Sequence, residues 1–257
     1  MKTGFLICAR LGSSRLPRKH LFPAAGIPFI LHLIRRINHQ FALERSAGCA
    51  SAVIIASDEP ENRDFIPAVA GEAEVFFGSI ENIPLRQLQA AKHFGFDALL
   101  SVDGDDILCS VEGMRAVYSA LVRDADFAKT DGLPLGLNVS GYRRAFLESA
   151  MAGRDHKTLE TGWTRIFEGA RPQVIAYTEP APDDRLRFTL DYEDDAKFFA
   201  RVIERLGPRS VSATDREIVE LVWREKFFEL NAGLAKEYWN NFYRLQKQEA
   251  VGDSANQ

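Results

Sequence analysis

Short apolar runs closed by turn residues recur along the first part of the chain, at Phe5–Cys8, Ala52–Ala56, Glu74–Phe77 and Asp97–Val102. Each is too short for a helix and is followed at once by Gly, Ser, Asp or Arg-rich loop chemistry, which predicts buried strands. Between them the apolar positions change period. Pro28 stands where a first helical residue belongs, and Ile30, Ile34, Ile37 and Phe41 then recur at helical spacing. Pro84–Phe94 places Leu85, Leu88 and Ala91 on one face. Strand alternating with helix at this interval predicts a mostly parallel, doubly wound α/β sheet covered on both faces. In such sheets a ligand lies beyond the carboxyl ends of the strands.

The second half is more mixed. Val111–Val122 and Arg143–Met151 read as helices, and Gln173–Tyr177 and Arg187–Leu190 as strands. Phe198, Phe199, Val202, Ile203 and Leu206 form a helical stripe within Tyr192–Leu206, and Thr214 with Glu217 has the spacing of a capping box. Leu234, Tyr238, Phe242 and Leu245 predict a last amphipathic helix, followed from residue 248 to 257 by a frayed tail without apolar pattern. With no repeat or linker in view, residues 1–247 read as one domain, with halves of about 1–125 and 126–247.

Composition narrows the function. Of 257 residues, 46% are hydrophobic, and 32 Lys plus Arg against 36 Asp plus Glu leave a net charge of −4, which argues against a nucleic-acid binder. No run approaches the ~20 apolar residues of a membrane span, and the apolar stretch from Gly4 is cut off by Arg10, too short for a secretory leader. Three cysteines without C-x-x-C spacing imply neither a disulfide framework nor a zinc site, so a reducing, cytoplasmic setting is expected.

The chemistry concentrates after two strands. Residues 9–19, A-R-L-G-S-S-R-L-P-R-K, put Gly12, the hydroxyls of Ser13 and Ser14, and four cations (Arg10, Arg15, Arg18, Lys19) directly behind the first strand. That composition suits a phosphate cradle of amides plus full charges. One cation about 4 Å from a phosphate is worth roughly 4 kcal/mol before desolvation, against about 0.3–1 kcal/mol for a helix end. The Lys and Arg side chains would therefore carry the charge compensation. Neither G-x-x-x-x-G-K-[ST] nor G-x-G-x-x-G is present. Asp103, Asp105 and Asp106 follow the fourth strand, and Asp191 closes the apolar run from Arg187, so two strand ends offer the hard oxygens that Mg²⁺ prefers. Glu193–Asp195 fit the simpler role of acids at a helix start.

These three segments, A-R-L-G-S-S-R-L-P-R-K, V-D-G-D-D at 102–106 and R-F-T-L-D-Y-E-D-D at 187–195, together with F-G-S at 77–79, Arg86 and Q-A-A at 89–91, resemble in their order the cytidylyltransferases that make CMP-activated sugars. The resemblance is greatest to the spore-coat-polysaccharide (SpsF-type) branch, related to the CMP-Kdo and acylneuraminate cytidylyltransferases. It implies a three-layer nucleotide-diphospho-sugar transferase-like fold with a smaller acceptor-side or dimerisation subregion, and a nucleotidyltransferase using CTP and Mg²⁺. CMP would pass to a Kdo- or nonulosonic-acid-like sugar for surface polysaccharide synthesis, with release of pyrophosphate. Carried over by position, Arg10, Ser13 and Lys19 would hold the triphosphate, with Ala9, Gly12, Ser14, Arg15 and Asp103 in the same nucleotide site. Arg86 would lie near cytosine, Asp105 and Asp191 would bind metal, and Lys19, Arg10 and Asp105 would be catalytic. Asn138 and Glu160 would face the acceptor, and a homodimer is expected. Ile107 stands where the family usually has proline, and Asn138 and Ser140 where the branch carries acids. D-G-D at 103–105 also reads as the metal site of a glycosyltransferase, which leaves the basic loop unexplained. A non-catalytic nucleotide-binding relative is the other alternative.

Overall fold

The computed structural model describes residues 1–153 and 158–254. In chain order its elements are β1 (Thr3–Cys8), β2 (Pro23–Ala24), β3 (Ile27–Pro28), α1 (Phe29–Gln40), α2 (Ala42–Ser46), β4 (Ala50–Ser57), α3 (Phe65–Val69), β5 (Glu74–Gly78) and α4 (Ile83–Phe94). They continue with β6 (Ala98–Asp103), α5 (Val111–Arg123), β7 (Phe127–Asp131), β8 (Ser140–Arg143), α6 (Arg144–Met151), β9 (Gln173–Ala176), α7 (Glu193–Leu206), α8 (Asp215–Arg224) and α9 (Ala235–Ser254). The main sheet has the order β5-β4-β1-β6-β8-β7-β9. Strands β5, β4, β1 and β6 are parallel, β8 runs antiparallel to both its neighbours, and β9 is parallel to β7.

Alternation along the central strands explains the layers. Phe5 and Ile7 of β1 and Leu100 and Val102 of β6 join α1 and α5 in one core. Leu6 and Leu99 point the other way, into a core shared with α4, α6 and Trp163–Phe167. Each such side chain, once buried, contributes about 1.5–3 kcal/mol, so both faces of β1, β4 and β6 are committed to the interior. The chain winds outward from β1 through β4 to β5 and then returns to β6, which makes the gap between β1 and β6 the point where the winding reverses. Cys8 pairs with Asp103 there, and Gly104 N–H donates to Cys8 O at 2.7 Å. A Cβ on Gly104 would stand 2.8 Å from both Ala9 Cβ and Cys8 O, so the close approach of the two strand ends requires glycine.

A third core ties the rest of the chain to these ends. Ile107, Leu108, Leu133 and Leu137 pack with Phe188, Leu190 and the inner faces of α7 and α8. Arg187–Leu190 differs from the strand expected from its apolar alternation. It makes a single bridge, Arg187 to Leu135, and Phe188 and Leu190 donate their amides to Leu135 O at 2.8 Å and Asp105 O at 2.9 Å. Its apolar side chains are buried because loops and helices cover them, and its backbone bonds go to loops as well. Gly136 (φ 87°) is the counterpart: a Cβ there would sit 2.2 Å from Phe188 O. Gly136→Ala is expected to destabilise the protein by at least ~2 kcal/mol and to disturb the segment that ends at Asp191. Thermal melts of the variant at matched pH check this, and an unchanged midpoint would mean that the segment is not held there.

Other departures are local. Pro28 directly precedes α1 instead of starting it. β7 and β8 were not foreseen, and α9 continues to Ser254, so the frayed tail expected from residue 248 is helical that far. The cause is tertiary: Glu249 accepts the Thr161 amide at 2.7 Å and pairs with Arg165 at 3.5 Å. Residues 255–257 of that tail lie outside the described residues. The Thr214–Glu217 capping box forms as expected, through Thr214 N–H to Glu217 Oε2 at 2.8 Å and Glu217 N–H to Thr214 Oγ1 at 3.2 Å. Among the described residues no helix is long and apolar enough to cross a membrane.

Candidate active site

The basic loop leaves β1 and folds back on itself. Leu11 N–H donates to the buried Asn62 side chain at 2.8 Å, and Arg18 N–H to Leu11 O at 2.9 Å. Arg18 adopts a left-handed conformation (φ 59°) before a single turn of 3-10 helix, Lys19–Leu21. This turn drives Lys19 and His20 inward, with exposures of 4% and 2%. The left-handed residue is thus Arg18, and Gly12 keeps an ordinary φ.

Lys19 Nζ reaches both acidic stations, Asp105 Oδ2 at 2.7 Å and Asp191 Oδ1 at 3.2 Å. Burial opposes its charge, but the two carboxylates outweigh it and hold the ammonium above its ordinary pKa. Burial alone would likewise raise Asp105; the charge of Lys19 and the hydrogen bond from His20 prevail and keep it well below the usual carboxylate range. Asp191 also accepts from Arg15, and from Arg187 Nη2 at 2.7 Å. Asp103 opens onto the cleft beside them. Desolvation first, then the charges of Asp105 and Asp191, push it up to about 6.

These groups surround a cavity of about 340 Å³ at the β1–β6 crevice. Ala9, Arg10, Ser13, Arg15, Lys19, Arg86, Asp103, Asp105, Glu160 and Asp191 line it. Gly12, Ser14 and Asn138 do not. Gly12 lies toward Glu61, and Ser14 is exposed. Asn138 is spent on the loop after β7, donating to Leu133 O at 2.9 Å. Glu160 lines the cavity and is tied to two cations: its Oε1 receives Arg86 Nη2 at 2.8 Å and its Oε2 lies 3.1 Å from Arg10 Nη1. Arg86 is 1% exposed and donates to Ser79 O at 2.7 Å and Ile80 O at 2.8 Å. It therefore fixes the loop after β5, which Gln89 holds from the other side through the Ser79 amide at 2.9 Å. Ile107 is fully buried in the third core and does not line the cavity, so the missing proline leaves the cleft's walls untouched.

Sequence reasoning passed over several lining residues. Thr161, Trp163 and Thr164 form one wall with Tyr238 and Phe242 of α9. The aromatic run of that helix divides: Tyr238 and Phe242 face the cavity, while Trp239 and Tyr243 are exposed. Arg187, four residues before Asp191, pairs with both Asp191 and Asp195 and stacks 4.4 Å from the Tyr238 ring centroid. Asp195 caps the amides of Asp191 and Tyr192 at 2.9 and 3.0 Å, so of the three acids at that helix start only Glu193 and Asp194 are simple dipole partners. His20 touches Asp105 and was invisible as a lone histidine.

The donor set suits a hard divalent ion. Mg²⁺ takes one or two protein carboxylates and completes its shell with phosphate and water. Here Asp105 and Asp191 already share one cation, the Lys19 ammonium, with Asp103 beside them. Among the described residues no three ligand side chains form a metal cage.

Comparison with known proteins agrees with this geometry. Residues 5–151, from β1 through α6, match the cytidylyltransferase family. Over 133 residues the chain is 31% identical to 3-deoxy-manno-octulosonate cytidylyltransferase of Yersinia enterocolitica, covering 51% of this chain and 50% of that protein, so the match spans about half the relative's length. A cytidylyltransferase from Leptospira borgpetersenii shares the fold with a TM-score of 0.78, over 90% of this chain and 98% of that one, at 19% identity. CMP:2-keto-3-deoxy-manno-octonic acid synthetase complexed with CTP does so with a TM-score of 0.58, over 80% and 99%, at 16% identity. With the basic loop and the strand ends of β1 and β6 in the matched region, this chain belongs to the cytidylyltransferase family.

Proposed function

We propose that the protein transfers CMP from CTP to an acidic sugar of the keto-deoxy-sugar-acid class, releasing pyrophosphate. The observation that carries this is Lys19 joining Asp105 and Asp191 across the β1–β6 crevice. Four cationic side chains (Arg10, Arg15, Lys19, Arg86) face four carboxylates (Asp103, Asp105, Glu160, Asp191) around the cavity. The site is thus close to neutral, and a triphosphate needs a further cation to enter it. Asp105 and Asp191 would hold Mg²⁺, with Asp103 beside them; the bound ion would polarise phosphoryl oxygens and offset their charge.

The remaining work falls to the chain. Arg10, Arg15 and Lys19 bind and orient the triphosphate, and the loop that Arg86 fixes at Ser79–Ile80 supports the base. An acceptor hydroxyl oxygen attacks the α-phosphorus and its proton is released to solvent; that P–O bond forms, and the bond from the α-phosphorus to the oxygen bridging to the β-phosphate breaks, with pyrophosphate leaving. Lys19 and the cationic loop stabilise charge that grows on the leaving group. Thr161, Trp163, Thr164, Tyr238 and Phe242 offer hydroxyls and aromatic faces to a sugar and exclude water from the reacting atoms.

The test is a pyrophosphate assay with Mg²⁺, each of the four nucleoside triphosphates, and a panel of eight- and nine-carbon keto-acid sugars. Pyrophosphate is expected from CTP only, and only with an acid sugar present. Consumption of a ready-made nucleotide-sugar with no pyrophosphate from CTP would overturn the reading in favour of a glycosyltransferase.

A further inference from the structure

Asp105 is the carboxylate on which the proposed metal site turns, and its two oxygens have different partners. Oδ2 faces Lys19 Nζ at 2.7 Å and Oδ1 faces His20 Nε2 at 2.8 Å. The lysine is a long, flexible cation that also serves Asp191. The histidine is neither flexible nor shared. It follows the left-handed Arg18 in the 3-10 turn, is 2% exposed, and lies with its ring centroid 5.9 Å from that of Phe65. Gly104 comes so close on the other side that a Cβ would stand 3.2 Å from His20 Nε2.

An ionised carboxylate only accepts hydrogen bonds, so the proton between the two groups sits on Nε2. Nδ1 is buried and has no hydrogen-bond partner among the described residues, the place for a bare lone pair rather than a second donor. We propose that His20 is a positioning residue: it holds the Asp105 carboxylate plane through Nε2–H, so that the carboxylate stays oriented for the divalent ion it would hold together with Asp191. Histidine and carboxylate partners of this kind, one step removed from a metal, typically change its affinity by 10- to 100-fold. The proposal rests on the assignment of Asp105 as a metal ligand made above.

The experiment uses the full chain and Mn²⁺ as the probe, titrated calorimetrically with and without CTP, in His20→Leu and His20→Gln. Leucine fills the space without a donor; the glutamine amide places an N–H close to where Nε2 stood. The expected result is a Kd for Mn²⁺ raised about 10- to 100-fold in His20→Leu and returned to within about 3-fold of the parent in His20→Gln. Equal affinity in His20→Leu and the parent, or equal loss in both variants, overturns the proposal while leaving the metal assignment standing. A parent protein that takes up no Mn²⁺ in either condition overturns both. Should His20→Leu not fold, ¹⁵N spectra of the parent imidazole decide: a proton on Nε2 with Nδ1 bare is expected, and the opposite tautomer overturns the proposal.

Discussion

Asp105→Asn is expected to lower turnover at least about 100-fold, the loss that follows removal of one preorganised electrostatic contact at a transition state. The change is small in volume but wrong in two ways. It removes the negative charge that would hold a divalent ion, and it gives one side of the group an NH₂. Lys19 Nζ at 2.7 Å and His20 Nε2 at 2.8 Å both need an acceptor, and an amide can supply only one. To accept from the amide NH₂, His20 would have to move its proton to the buried Nδ1, which has no partner among the described residues. The loss should fall on kcat for pyrophosphate release, and raising Mg²⁺ should recover only part of it. Asp191 has Arg15, Lys19 and Arg187 around it, so its carboxylate is held even more tightly, and Asp191→Asn should lose at least as much. Near-normal pyrophosphate release from either variant would remove the metal assignment, whatever the protein's reaction is.

How far the sequence led to this site depends on the range of the forces involved. β1, β4, β5 and β6 were legible to within about two residues because a strand covered on both faces shows as an unbroken apolar run with turn residues behind it. The crevice followed, since a parallel sheet puts its ligand beyond the strand ends. The segment Arg187–Leu190 misled for a related reason. Phe188 and Leu190 are fully buried and alternate with more polar neighbours as in a strand, but burial is not a ladder, and periodicity does not report where backbone amides are bonded. β7 and β8 were missed because they are short, and because Gly141 sits against Val117 and the Leu99 carbonyl, where a residue typical of strands would not fit.

Within the site, charge types were legible and pairings were not. Residues 10–19 and the two acidic stations announced cations and hard oxygens. Nothing local could say that Lys19 would cross to Asp105 and Asp191, 86 and 172 residues away. Nor could anything local say that Glu160 would bond Arg86 and lie against Arg10. α9 looked like an end-piece and contributes a wall, with Gln246 close against Gly162 and Glu249 on the Thr161 amide.

Lys19→Met separates folding from chemistry through its pH dependence. Methionine keeps most of the volume but takes away the ammonium between two carboxylates, leaving Asp105 with His20 alone. Breaking a buried ion pair costs about 3–5 kcal/mol. The Asp105 side chain is 29% exposed against 5% for Lys19, so water recovers part of that, and a loss of about 2–3 kcal/mol at pH 7 is expected. Asp105 has a depressed folded-state pKa, so its contribution is present above the unfolded value of about 3.9 and is lost as pH falls through the folded one. Lys19 has a raised one, so its contribution is full below about 10.4 and fades only above that. The deficit of Lys19→Met should therefore be flat from pH 6 to 9 and shrink progressively below pH 4, as denaturant titrations at pH 7 and pH 2.5 would reveal. Turnover of CTP should fall at least about 100-fold at pH 7, where most of the variant is still folded, because the cation nearest both acids is gone. A deficit of the same size at both pH values would mean that packing, not the ion pair, is what Lys19 supplies. A folded variant with normal turnover would mean that the triphosphate is held elsewhere.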